Sequence, residues 1–388
     1  MRKSWLGQSC ALIFIGALSS CAAQRAQRTE ASHHRAFEAG TLIEVSTIAG
    51  TGFSGMVNGP GVLAQFYGPT GLAVDAMGNI YVADPDIHLI RHIANDADRT
   101  VTTFAGTGAE GNLNGPGVTA TFTHPHGLAI DAAGNIYVAD TGNNQIRRIA
   151  NDATRTVSTI AGTGAAGNMN GPGATAQFHH PNGIAIDAAG NIYVPDHANH
   201  QIRRIAHDAD RTVTTIAGTG VAGNMNGPGA LATFNFIRGI AIDTVGNLYV
   251  IDGNQIRRIA HDADRTVSTI AGTGAAGNMN GPGVLAQFYG PAGLTVDAAS
   301  NIYVADAGNS QIRRIAHDAD RTVTTIAGTG GHGHADGLGT RAQFTFPMNV
   351  AMDAAGNLYV SDSNNRIRLI TGAEEEEELM VKPASRYE

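Results

Sequence analysis

The side chains best suited to chemistry in this chain are histidines, and they are clustered. Six of them, His124, His126, His179, His180, His197 and His200, fall in one stretch of the sequence. Imidazole is the commonest transition-metal ligand and changes charge near neutral pH. Three such groups meeting at one point would hold a zinc or copper ion. The competing reading is that polar loop positions were simply filled by histidine. Asp208 and Asp210, beside His207, offer oxygens for a weak calcium site. No catalytic set accompanies these residues. The chain has no Ser-His-Asp elbow, and its two cysteines, Cys10 and Cys21, both lie near the N-terminus. Its one tryptophan is Trp5, so stacking on a sugar would rest on Tyr67, Phe236 or Tyr289.

What positions these groups is a repeat. Asp-Ala-x-Gly-Asn-(Ile/Leu)-Tyr-Val-x-Asp recurs, with small variations, from Asp75, Asp131, Asp187, Asp243, Asp297 and Asp353. The copies are 56 residues apart, except for one step of 54 between the fourth and fifth. Each copy holds four short runs rich in Val, Ile and Thr, separated by turn signals, which predicts four antiparallel strands. In the second copy these are 127–131, 136–139, 145–150 and 156–162, with Gly134 supplying the tight first turn. Continuous apolarity in such short runs fits sheets covered on both faces. Repeats of this length with four strands each predict an all-β, six-bladed propeller.

The chain ends fit a closed ring. Residues 45–50 (VSTIAG) read as a fourth strand with no preceding three, and the last copy stops after a third strand at 366–370 (RIRLI). The first strand is therefore expected to complete the last blade, which removes an exposed sheet edge.

Sameness and difference among copies then sort the residues. The second Asp of the motif, at 84, 140, 196, 252, 306 and 362, occurs in all six and reads as a loop-bonding structural residue. The Phe at 66, 122, 178, 234, 288 and 344 reads as a core plug, and the loop Gly-Asn-x-Asn-Gly-Pro-Gly as turn chemistry without the carboxylates of a calcium loop. The residue before the first strand differs in every copy: Thr70, His126, Asn182, Arg238, Ala292 and Met348. Strand connectivity puts this position at the channel mouth, on the face carrying the longer loops. Tyr67, Phe236 and Tyr289 belong to the same loops, and this face is the expected ligand-binding surface.

Pro-x-Gly-(Ile/Leu)-Ala-(Ile/Val)-Asp, Gly-Asn-Ile-Tyr-Val-Ala-Asp and Asn-x-Gln-Ile-Arg-Arg-Ile together resemble the NHL family of propellers, over about residues 45–371. The resemblance is specific for fold and weak for function. Six-bladed lactonases of the gluconolactonase type and the related amidating lyases hold a metal with channel-facing Glu, Asn, Asp or His. Here no Glu occupies the corresponding positions, although His126, Asn182 and Arg238 form a polar arc. The RNA binding of eukaryotic NHL domains is not expected of a chain with net charge −8 and almost no Lys.

The N-terminus completes the expectation. Arg2 and Lys3 precede the apolar run 11–18, and Leu18-Ser19-Ser20-Cys21 resembles the lipobox of bacterial lipoproteins, in which the Cys is lipidated. The resemblance implies a chain tethered in the bacterial envelope, with Ala22 after the Cys favouring the outer membrane. The expected organisation is a signal at 1–20, a tether at 21–43, the propeller at 44–372 and an acidic tail at 373–388. The function read from the sequence is a membrane-anchored monomeric scaffold binding a protein or small ligand, with no nucleic-acid partner. Its alternative is a metal-dependent hydrolase or lyase built on the histidines, with zinc, copper or calcium as the divalent cofactor.

Overall fold

A computed structural model describes residues 41–374. The signal, Cys21, the tether up to residue 40 and the acidic tail from residue 375 lie outside the described residues. The described chain forms six antiparallel sheets: five have four strands in sequence order, and the sixth has five, with the N-terminal strand beside the third strand of the last copy and Gly337–Leu338 outside it. Among the described residues every helix is a single 3-10 turn of three residues, so none is long and apolar enough to cross a membrane.

Blade two shows the pattern. Its strands are Pro125–Ile130, Ile136–Asp140, Gln145–Ile149 and Val157–Ala161. The second strand is buried at all five residues, because a neighbouring blade covers each face. This is why its apolarity is continuous and not alternating. Its first hairpin is held by Asp131, whose Oδ1 accepts the N–H of Ala133 and Asn135 while Oδ2 accepts from the Asn135 amide and the Tyr137 hydroxyl. Gly134, at φ +80°, turns the chain there.

The ring closes as expected. The N-terminal strand Thr41–Ala49 pairs antiparallel with Arg366–Glu374, placing Val45 opposite Ile370. Both strands extend past the repeat pattern, so the paired region takes in residues 41–43 of the expected tether and 373–374 of the expected tail.

The six plug phenylalanines are fully buried, and a guanidinium lies over each ring at 5.0–5.3 Å from its centroid. These cations, Arg91, Arg147, Arg203, Arg257, Arg313 and Arg368, come from the third strands and are also fully buried. Each pairs with the second Asp of its motif at 2.7–3.3 Å. The same carboxylate accepts the N–H of the residue after the plug, as from Thr123 to Asp140 at 2.8 Å. The other guanidinium nitrogen reaches the Gly-Asn-x-Asn loop, as from Arg147 to the Leu113 carbonyl and to Asn114 Oδ1 at 2.8 Å. That loop is therefore more than a turn. It supplies acceptors to a buried cation, and the clamp ties three loops of a blade to its third strand.

Candidate functional site at the channel mouth

The first strands line the central channel, and the residues at or just before their starts form a ring at its mouth. A cavity of about 310 Å³ opens there, lined by Thr70, His126, Asn182, Arg238, Ala292 and Met348, together with His197 and Asn349. All six varying positions thus converge, one from each blade. Their order around the ring separates the chemistry. Blades one to four contribute hydroxyl, imidazole, amide and guanidinium, and blades five and six contribute methyl and thioether.

Asn349 is a lining residue that the sequence reading missed. Five copies place Gly at this point (Gly71, Gly127, Gly183, Gly239 and Gly293), and the sixth places Asn. Four of those glycines face the backbone of the next blade closely: a Cβ at Gly71 would sit 2.0 Å from the His126 carbonyl oxygen. Around the neck, backbones pack too tightly for side chains. Asn349 is the exception, and its side chain lies against Gly293, where a Cβ would be 2.8 Å from its Cγ. Below it the channel is lined largely by Leu, Ile, Val and Ala of the first strands. The signal was present in the sequence as a broken Pro-x-Gly.

The polar lining is unsaturated. The Thr70 hydroxyl is buried without a hydrogen-bond partner. Among the described residues no hydrogen bond or ion pair engages the side chains of His126, Asn182, Arg238 or Asn349. Arg238 is exposed toward the opening, and no carboxylate lines the cavity. Burial, followed by the nearby His124, Arg238 and His180, pushes the His126 imidazole down to about 4. It is therefore neutral at pH 7. His197 donates from Nδ1 to the Ile237 carbonyl at 2.8 Å, which fixes its ring at the rim.

The six histidines do not form one centre. His126 and His197 line the cavity, whereas His124, His179, His180 and His200 do not. The rings of His179 and His180 lie tilted against each other with centroids 5.1 Å apart, and His200 bonds the Asn235 carbonyl at 2.6 Å. His124 turns toward blade one, where its ring meets that of His88 at 4.8 Å. His88, Glu110 and His124 bring three ligand-type atoms within 4.8 Å of one another.

The donor set nevertheless fits a structural role and not a metal. His88 Nδ1 accepts the backbone N–H of His124 at 3.2 Å, so its proton is on Nε2, which faces Glu110 at 3.6 Å. A metal at that nitrogen would have to displace the proton. At the equivalent junctions Asn144, Asn254 and Asn365 accept the same backbone N–H from His180, Gly290 and Gly68. His88 does the work of an asparagine, linking adjacent blades. His88, His124, His180 and His200 all have φ between 47° and 54°, a backbone region that favours Asn and His over most residues.

Tyr67, Phe236 and Tyr289 are about half exposed on the loops outside the cavity. Tyr289 packs over Gly308 of its own blade, and Phe236 lies 6.2 Å from the His197 ring. On the opposite face, His207 and His317 bond hairpin carbonyls, and Asp208 Oδ1 accepts the Thr212 N–H at 2.9 Å, consistent with turn residues.

With this geometry in hand, the similarity to known proteins is informative. The NHL repeat profile matches residues 66–92, 122–149, 178–205 and 288–315, each running from a plug Phe through its third strand. The chain carries NHL repeats. It is 28% identical over 316 residues to Protein SUPPRESSOR OF QUENCHING 1, chloroplastic, of Arabidopsis thaliana, covering 77% of this chain and 30% of that protein. The chain thus spans about a third of that relative's length. Among solved structures, an auxiliary nutrient binding protein from Bacteroides thetaiotaomicron aligns with TM-score 0.64 at 18% identity, over 86% of this chain and 77% of that one. A gluconolactonase from Xanthomonas campestris aligns with TM-score 0.55 at 14% identity, over 87% of this chain and 96% of that one. At these identities the structural likeness speaks to the fold alone.

Proposed function

We propose that this chain is a ligand-binding propeller of the bacterial envelope, tethered through Cys21, whose site is the cavity at the channel mouth. One observation carries the reading. The ring of positions that vary from copy to copy is also the ring whose polar side chains have no protein partner. Buried or half-buried polar groups in a folded protein are normally satisfied, so a convergent unsatisfied set is what a polar ligand requires. The nutrient-binding description of a fold neighbour agrees with this use of the scaffold.

The test is a thermal-shift and calorimetric screen of small metabolites against the wild type and the double variant His126→Ala/Arg238→Ala. Ligands that stabilise the wild type should fail on the variant. Hits that bind both equally would place the site elsewhere. For the tether, Cys21→Ser should move the protein from the membrane to the soluble fraction and abolish labelling by a radioactive fatty acid. Unchanged fractionation and labelling would remove the anchor.

A hydrolase reading rests on the gluconolactonase likeness. The mouth offers His126, His197, Asn182 and Asn349 but no carboxylate, so it lacks the anionic ligand a divalent ion favours. Elemental analysis of untagged protein decides the matter: a stoichiometric metal would revive this reading.

A further inference from the structure

We infer that the channel-mouth cavity recognises a small organic monocarboxylate with an apolar substituent. The inference rests on the ligand-binding reading above and gives it a chemical class. Four observations on the lining lead to it.

The first is charge. Arg238 is the one cationic side chain in the cavity lining, no Asp or Glu accompanies it, and it has no ion-pair partner among the described residues. This contrasts with the six buried guanidiniums, each held by its Asp. A guanidinium in a concave site without a carboxylate is a ready bidentate donor to one.

The second is the count of charges. His126 is held neutral by burial first, and then by the nearby His124, Arg238 and His180. The cavity therefore presents one positive charge at neutral pH, which matches one negative charge and leaves a dianion uncompensated.

The third is the set of donors. Asn182 neighbours Arg238 around the ring, and the Asn349 amide enters the neck opposite the polar arc, where the other copies have Gly. The unpartnered Thr70 hydroxyl adds another. These are the kinds of donor that hydrogen-bond a carboxylate's oxygens.

The fourth is the apolar side. Ala292 and Met348 occupy the arc across from Asn182 and His126, and the volume of about 310 Å³ is at the small end for ligand cavities. A carboxylate held at Arg238 would place its substituent against that methyl and thioether. Asn349 narrows the neck, so the ligand sits in the mouth and does not enter the channel.

The experiment is calorimetric titration of the described propeller within its full chain. The probes are 3-phenylpropanoate and hexanoate, their neutral amides, and inorganic phosphate. The carboxylates should bind at least about tenfold more tightly than the amides, the range of a charge-assisted pair. Arg238→Met should abolish that preference while leaving the melting temperature unchanged, and Arg238→Lys should retain part of it. Met348→Arg, which fills the apolar arc, should weaken the phenyl probe.

Amides binding as well as carboxylates, with both lost in His126→Ala/Arg238→Ala, would overturn the carboxylate class but keep the mouth as the site. Binding that survives that double variant would overturn the site as well. Phosphate binding as tightly as the carboxylates would show simple anion capture and overturn the apolar arm. No heat with any probe at about 10 mM would sink the inference outright.

Discussion

Two rings of polar side chains run around this propeller, and they obey opposite rules. The clamp ring repeats six times with the same residues, an Asp, an Arg and an Asn or Asp; its carboxylates and terminal guanidinium nitrogens all have partners, and only the guanidinium Nε atoms are buried without one. The mouth ring has a different residue in every blade, and its polar atoms lack partners. Both sit toward the long-loop face of one scaffold. What separates them is that a buried charge must be satisfied within the fold, whereas a group reserved for a ligand is satisfied only when the ligand arrives. Charge pairing, more than burial or residue type, tells structure from site here.

The most forceful way to break the comparison is to remove one charge from each ring. Arg147→Met leaves Asp140 buried and unpaired, which costs about 3–5 kcal/mol. Arg238→Met removes an exposed cation with no partner and should change stability by no more than about 0.5 kcal/mol. Urea unfolding of the two variants gives both numbers. A large loss at Arg238 would make the mouth a structural ring like the other.

That contrast also marks what is legible in the residues themselves. The repeated apolar runs forced the blades, and the orphan strand at 45–50 against the unfinished copy ending at 366–370 forced the closure. The varying position before the first strand located the mouth. The clamp was only half legible. Asp84 and its equivalents stood out as repeated and structural, but the first Arg of Gln-Ile-Arg-Arg-Ile was not assigned as their partner. Its presence in all six copies, at Arg91, Arg147, Arg203, Arg257, Arg313 and Arg368, was the available clue, since an exposed Arg has no reason to be kept six times. The histidine grouping misled for the opposite reason. Sequence proximity put His124 with His126, while the left-handed backbone at His124 turns it toward His88 in the preceding blade.

A second test grades the clamp itself. Asp140, Asp196 and Asp306 each accept a side-chain amide at 2.8 Å, from Asn143, Asn199 and Asn309. Asp84 has Ile87 at that place in its loop, and burial, only partly offset by Arg91, pushes its carboxyl up to about 7. Asn143→Ala should therefore push Asp140 up as well and cost about 1.5–3 kcal/mol, the value of a hydrogen bond to a charged group. The amide helps the ionised carboxylate. The cost should be full near neutral pH and fade as pH falls through the carboxyl's folded value toward its unfolded one near 4. Urea midpoints measured at pH 7 and pH 4.5 would check this. A loss equal at both would mean that the amide serves packing and not charge.

The smallest effect belongs to the mouth. The His126 imidazole is lowered to about 4 from its usual 6.5, by burial first and then by His124, Arg238 and His180. The unfolded chain takes up that proton near 6.5 and the folded chain only near 4. Stability is thus complete above 6.5 and falls as pH drops between those values. After allowance for partial solvent exposure, the loss is on the order of 1 kcal/mol. His126→Gln should flatten the slope of stability against pH in that window. A bound carboxylate works against the same lowering, because a negative charge beside Arg238 offsets the field that keeps His126 neutral. Ligand binding below about pH 6 should accordingly be accompanied by proton uptake in wild type but not in His126→Gln, read as buffer-dependent heat in calorimetry. Equal buffer dependence in the two proteins would separate His126 from the ligand and leave Arg238 as the sole electrostatic element of the mouth.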